Sequence, residues 1–269
     1  MTGVVVGLAA AALLLVAVMA AAWATQRATG NAGWSDAFWS FGTGAAGVVV
    51  ALVPVMGEGW PTGRQLLVAL AVGLWSLRLG SHIAARSRGA PEDARYAAFR
   101  TEWGADFQRR LFVFLMIQAA AGWFLCLSVI AAAQNPRPGL GLQDGIAVVL
   151  IIAAIVGAGT ADRQLQRFRE KPREVRGEIC EDGLWAWSRH PNYFFEWLGW
   201  VAYPLFAIDL SGGHPLGFVA LTGPAFMYWL LVHVSGIPPL EAHMQRSRPE
   251  AFARYSARVP AFFPRPPRR

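Results

Sequence analysis

Apolar residues run along this chain in long blocks rather than alternating with polar ones, and polar clusters rich in glycine, proline or arginine separate the blocks. A helix needs about 20 mainly apolar residues to cross the hydrocarbon of a bilayer. Seven blocks approach that length, at roughly 4–24, 36–57, 65–83, 111–133, 144–160, 191–208 and 215–234, the fifth and sixth being the shortest. Gly30 to Trp34, Gly57 to Gly63 and Asn135-Pro136-Arg137-Pro138-Gly139 read as short turns. The two longer connections mix both charge signs and predict interfacial helices that lay Trp103, Phe107 and Phe168 against lipid headgroups. The pattern is that of an all-α integral membrane protein with seven transmembrane helices.

Charge gives this pattern a direction. Of the 24 basic residues, all but Arg64, Arg78 and Arg137 fall in the first connection, in the loops 84–110 and 161–190, or in the tail from 235. Basic residues collect on the cytoplasmic side, so the N-terminus is expected outside and the C-terminus in the cytoplasm. The net charge of +7 is then a topological signal. No reader motif surrounds the arginines, which argues against a nucleic-acid partner. The first block lacks the basic start of a signal peptide and is read as a retained helix. With 55% apolar and 15% charged residues, the chain has room for little polar chemistry, and what there is stands out. Its two cysteines, Cys126 and Cys180, suggest neither a disulfide nor a metal framework, and no metal is expected.

The densest polar cluster is Ser188-Arg189-His190-Pro191-Asn192-Tyr193-Phe194-Phe195-Glu196, at the mouth of the sixth block. Pro191 suits the first turn of a helix, whose free N–H groups favour an anion beside Arg189 and His190. Asn192 and Glu196 share a helix face, as do Arg189 and Tyr193. Phosphates match arginine and helix-end donors, while ribose hydroxyls or a carboxamide suit Glu196 and Asn192. Asp162, at the end of the fifth block, and Glu241, past the Pro238-Pro239 break, are placed to wall the same cavity. Each also has a plainer reading: Glu196 as the partner of a neighbouring arginine, Tyr193 as an interface anchor, Asp162 as a solvated helix-end acid. The tail carrying Arg254, Tyr255, Phe262 and Phe263 reads as an amphipathic interfacial helix or, alternatively, as a lid over the pocket near Arg189. Walker, dinucleotide-fingerprint and HExxH motifs are absent, so a cofactor has to bind among membrane helices.

The segment Asp182-Gly183-Leu184-Trp185-Ala186-Trp187-Ser188-Arg189-His190-Pro191-Asn192-Tyr193, with Glu196, resembles the signature of a family of uncharacterised membrane proteins related to the steroid 5-alpha-reductases. Asp162-Arg163-Gln164-Leu165, Val234-Ser235-Gly236-Ile237-Pro238 and Trp75-Ser76-Leu77-Arg78-Leu79 agree with it. The resemblance divides the chain into a first helix and connection (1–33), a steroid 5-alpha-reductase-like membrane domain (34–264) and a basic end (265–269). It implies a bacterial inner-membrane reductase of lipid metabolism, with NADPH held on the cytoplasmic side by Asp162, Arg189, His190, Asn192, Tyr193, Glu196 and Glu241. The reaction implied is reduction of a carbon–carbon double bond conjugated to a carbonyl in a lipophilic substrate that enters from the membrane lipids. The reductases' early glutamate has no counterpart, and their proton-donating tyrosine falls near Trp75, which leaves Asp36, Arg78 and His82 as the catalytic candidates. Isoprenylcysteine carboxyl methyltransferases, in the same superfamily, are similar in the element Arg189 to Tyr193 with Glu241 and Tyr255, which makes S-adenosylmethionine the alternative cofactor. A non-enzymatic lipid-binding protein is the third reading.

Overall fold

The computed structural model describes residues 2–55, 59–89, 91–172 and 179–266. Gly57 of the second turn, Arg173 and Arg176 of the longest basic loop, and the terminal Arg268 and Arg269 lie outside the described residues. Among the described residues the regular structure is helical, with no strand: α1 (Thr2–Thr29), α2 (Ser35–Ala51), α3 (Gly63–Ser87), α4 (Ala94–Trp103), α5 (Phe107–Ala133), α6 (Leu142–Glu170), α7 (Pro191–Ala207), α8 (Thr222–Trp229), α9 (Ile237–Ser247) and α10 (Pro249–Arg258). Among the described residues, five helical stretches are long and apolar enough to cross a membrane: Thr2–Thr29, Gly63–Ser87, Arg95–Ala133, Leu142–Glu170 and Pro215–Ser247. The expected second and sixth spans are α2 and α7, each of 17 residues. At about 1.5 Å per residue they reach about 25 Å, short of a hydrocarbon core of about 30 Å.

The chain forms two compact units, one of residues 1–148 and 203–223, the other of residues 149–202 and 224–269. In the first unit α1, α2, α3 and α5 pack side by side. Small residues bring α2 and α3 together: a Cβ on Gly44 would meet the Ser76 side chain at 2.1 Å and one on Gly47 would meet Val72 at 2.6 Å. Helices in lipid gain little from apolar burial against one another, so such close backbone approach carries much of their attraction. Ser76 Oγ uses the proximity to donate to Ser40 O at 3.0 Å. Thr62 opens α3 with a capping box, accepting from Gln65 N while Gln65 Oε1 accepts from Thr62 N.

One end of this unit is closed by a buried ion pair. Arg64 Nε and Nη2 donate to Asp144 at 2.8 and 3.1 Å, and the remaining guanidinium donors go to Asn135 O, Arg137 O and Gly139 O. Arg137 adds a second cation to Asp144 at 2.9 Å. The Asn135 to Gly139 turn is thereby wrapped around one guanidinium, which compensates the cost of burying it.

In the second unit, α6 runs ten residues beyond the apolar block that ended near 160. Gln, Arg, Leu and Glu of residues 163–170 are good helix formers and carry the helix on. Phe168 is therefore not on a separate interfacial helix as expected; it packs on this extension with Cys180 and Trp185. The last span also differs from a plain helix: α8 passes into a π turn, Leu230–Val234, and Ser235 N and Gly236 N both bond back to Leu230 O. With Pro238 and Pro239 following, the chain bends there and restarts as α9.

Candidate functional site

The loop 182–190 and the start of α7 are held from two directions within the second unit. From α6, Gln164 Oε1 accepts from Leu184 N at 3.0 Å, and Ala161 O accepts from Trp185 Nε1 at 3.0 Å. Gly183 sits at φ +58° against the Gln164 side chain, where an added Cβ would come within 2.2 Å, so both backbone and space require glycine. From the C-terminal segment, Pro260 O accepts from Arg189 N, Phe262 O and Ala261 O accept from Ser188 Oγ, and Arg265 N donates to Trp187 O. Tyr255, buried on α10, donates its hydroxyl to Trp185 O at 2.7 Å. The tail folds back onto the segment around Arg189, the arrangement of the lid reading.

Arg189 lies at the centre of this closure. Its Nε and Nη2 donate to Glu241 Oε1 and Oε2 at 2.7 and 3.0 Å, and its Nη1 to Val259 O at 2.7 Å. His190 Nε2 stands 3.0 Å from Glu241 Oε1, so one carboxylate of α9 holds two consecutive residues ahead of α7. Burial pushes the His190 pKa down, outweighing the opposing hydrogen bond to Glu241. A neutral ring that donates Nε2–H to Glu241 keeps its Nδ1 lone pair as an acceptor. Tyr193 stacks on that ring, with centroids 5.6 Å apart and planes 9° from parallel.

Across the α7 entrance, Asn192 Nδ2 donates to Asp162 Oδ1 at 3.4 Å, which joins the first turn of α7 to α6. Glu196, one turn into α7, is buried. On another side of α7, Phe194, Trp197, Tyr228, Phe262 and Phe263 form an aromatic wall with ring centroids 5.1 to 6.4 Å apart. Residues of α6, α7 and α9 thus meet around the first turn of α7, with groups that can accept and donate hydrogen bonds to a polar ligand.

The three catalytic candidates belong to the first unit, the seven cofactor candidates to the second. Asp36, in the first turn of α2, accepts from Arg95 Nη2 at 2.5 Å and from Tyr96 OH at 2.8 Å. Arg78 and His82 share one face of α3, a turn apart. Trp75 packs edge to face on Trp39, with centroids 6.3 Å apart. Sequence reasoning missed Arg95 and Tyr96 as the partners of Asp36, and Gln164 and Tyr255 as the holders of the motif loop. No local pattern announces these long-range pairs; only the position of Gln164 beside Asp162 hinted at one of them.

Two comparisons bear on this arrangement. An uncharacterized protein, C594.04c of Schizosaccharomyces pombe, is 24% identical over 271 aligned positions, covering 88% of this chain and 76% of the relative. A family model described as "Protein of unknown function (DUF1295)" matches residues 22–259, a stretch that holds the polar entrance, the loop in front of it and the α10 helix that closes it. The chain belongs to the DUF1295 family.

Proposed function

We propose that this protein is a membrane-embedded reductase that uses NADPH to reduce a carbon–carbon double bond conjugated to a carbonyl in a lipophilic substrate. In this reading α2 and α7 complete a set of seven spans, related to the steroid 5-alpha-reductases, with the N-terminus outside and the polar entrance facing the cytoplasm of a bacterial inner membrane. The observation that supports it most is the convergence of Asp162, Asn192, His190, Tyr193 and Glu241 at the entrance of α7.

The donor set suits the nucleoside parts of the cofactor. Asn192 and Glu196 offer an amide and a carboxylate on one face of α7, and Asp162 a second carboxylate, for ribose hydroxyls and a carboxamide. Tyr193 and the aromatic wall offer a flat apolar bed for a ring. The phosphates fit Arg189 less directly, because its Nε, Nη1 and Nη2 already serve Glu241 and Val259 O. Its part is to hold the entrance in shape, and the phosphate charge falls to the exposed Arg163 and Arg167 at the end of α6. The cofactor would supply a hydride; the chain binds and orients it and keeps water out.

S-adenosylmethionine is the second reading, carried by the His190–Tyr193 stack, which presents aromatic rings to a sulfonium cation. Thermal unfolding of the detergent-purified protein separates the readings. NADPH raises the midpoint in a dose-dependent way, and Asn192→Ala and Glu196→Gln remove that rise. A rise with S-adenosylmethionine and none with NADPH replaces the reductase by a methyltransferase. No response to either cofactor leaves a lipid-binding protein.

A further inference from the structure

The first unit carries a surface feature that the cofactor site does not use. Trp23 of α1 and Phe112 of α5 pack edge to face with centroids 5.4 Å apart, and Trp23 Nε1 donates to Gln108 O at 3.2 Å. The side chain of the same Gln108 donates through Nε2 to Gln26 Oε1 at 3.1 Å. These contacts fix the register of the α1–α5 seam. Arg27 is four residues after Trp23 on one face of α1, and Arg109 is three before Phe112 on one face of α5. The Trp23–Phe112 contact joins those two faces, so both guanidinium groups are carried at the same end of the same seam.

Their charge is not spent on the protein. Arg27 lies over the Trp23 ring at 4.9 Å, a contact that orients a cation without neutralising it. Both arginines are exposed, and among the described residues neither they nor Asp106, the nearest acid in sequence, form an ion pair within 4.0 Å. Of the other arginines of this end, Arg95 pairs with Asp36, Arg100 with Glu92 and Gly30 O, and Arg86 with Asp93, whereas the exposed Arg110, next to Arg109 on α5, adds to the positive charge of the seam. Along the membrane-spanning part of the two helices the outward side chains are apolar, with Val16 48% and Val113 52% exposed. Two uncompensated cations above an apolar helix face match a phosphodiester above an acyl chain.

We infer that the α1–α5 seam is a binding site for an anionic phospholipid, with Arg27 and Arg109 holding the headgroup phosphate and the acyl chain lying along the outward faces of α1 and α5. Trp23 sets the depth of the headgroup, at the level where indole rings settle in a bilayer. The inference rests on α1 and α5 as membrane spans and not on the identity of the cofactor.

The test titrates purified full-length protein in detergent with phosphatidylglycerol or phosphatidylcholine and counts retained lipid by native mass spectrometry. Wild type is expected to retain phosphatidylglycerol preferentially, and the preference should fall about fivefold for each arginine removed in Arg27→Gln and Arg109→Gln. Arg27→Lys with Arg109→Lys keeps much of the preference, whereas Arg86→Gln, on α3, leaves it unchanged. Equal retention of the two lipids by wild type overturns the site, as does an undiminished preference in the double glutamine variant. An equal loss in Arg86→Gln overturns it too, since the effect would then belong to the basic end as a whole. The substituted side chains are exposed, and unchanged unfolding midpoints confirm that the variants are folded.

Discussion

Arg189 and Glu241 are joined by two parallel hydrogen bonds, although they lie on opposite sides of α7 and α8 in the sequence. The guanidinium matches the carboxylate fork to fork, the strong geometry for such a pair. Both side chains are largely withdrawn from water, so losing one leaves the other poorly compensated. Glu241→Ala is expected to destabilise the protein by about 2–4 kcal/mol, with Arg189→Lys intermediate because a point charge cannot make both bonds. Unfolding of the detergent-solubilised protein measures this, and a loss below experimental error would show that the pair does not hold the entrance.

The entrance should also respond to pH through His190. Its folded pKa lies below the ordinary value of 6.5 because burial disfavours the charged ring. Below that ordinary value the unfolded chain takes up a proton that the folded chain resists, so stability is lost as pH falls through the window just under 6.5 and is regained above it. Melting midpoints between pH 5 and 8 should decline at the acid end for wild type and decline less for His190→Gln. A wild-type curve that is flat over this range would place the ring outside the buried environment described.

Tyr255→Phe removes one hydroxyl and nothing else, and leaves Trp185 O without its 2.7 Å partner. The expected cost is about 1 kcal/mol. Amide hydrogen exchange should rise over the 185–189 loop more than over α3 or α5. Uniform exchange changes would mean that α10 does not hold the loop.

At the Arg64–Asp144 pair the outcome depends on whether one partner or both are replaced. Asp144→Ala strands a guanidinium among carbonyls and is expected to cost about 3–5 kcal/mol. Arg64→Met with Asp144→Leu removes both charges and should cost less than the sum of the single changes. Equilibrium unfolding of the four proteins completes the cycle, and strict additivity would contradict the pairing.

Much of the architecture was legible because the bilayer requirement is written in composition: the first, third, fourth, fifth and seventh apolar blocks coincide with helices long enough to span. The boundaries were less so. The block ending near 160 stops where hydropathy stops, whereas α6 continues to Glu170 on helix propensity and on the packing of Phe168 against Cys180 and Trp185. The same division holds at the site. Residues near one another in sequence, such as Asn192 and Glu196, could be placed on one face from helix geometry. The bonds from Arg189 to Glu241 and to Val259 O, and from Asp36 to Tyr96, depend on packing between distant segments, which no local spacing encodes. The chemistry of arginine suits a phosphate, but the Nε, Nη1 and Nη2 donors of Arg189 serve Glu241 and Val259 O, more than fifty residues away.

The fold-back of the tail has a consequence for how the protein is made. Arg189 waits for Val259 O and Pro260 O, Ser188 for Phe262 O, and Trp187 O for Arg265 N, all about seventy positions further along the chain. During synthesis the motif loop emerges long before its partners and stays incomplete until the segment after α10 has followed it. A nascent chain halted between α9 and α10 would carry the helices of the entrance but no closure. Closure of the loop therefore comes late in synthesis and waits on the segment 259–265.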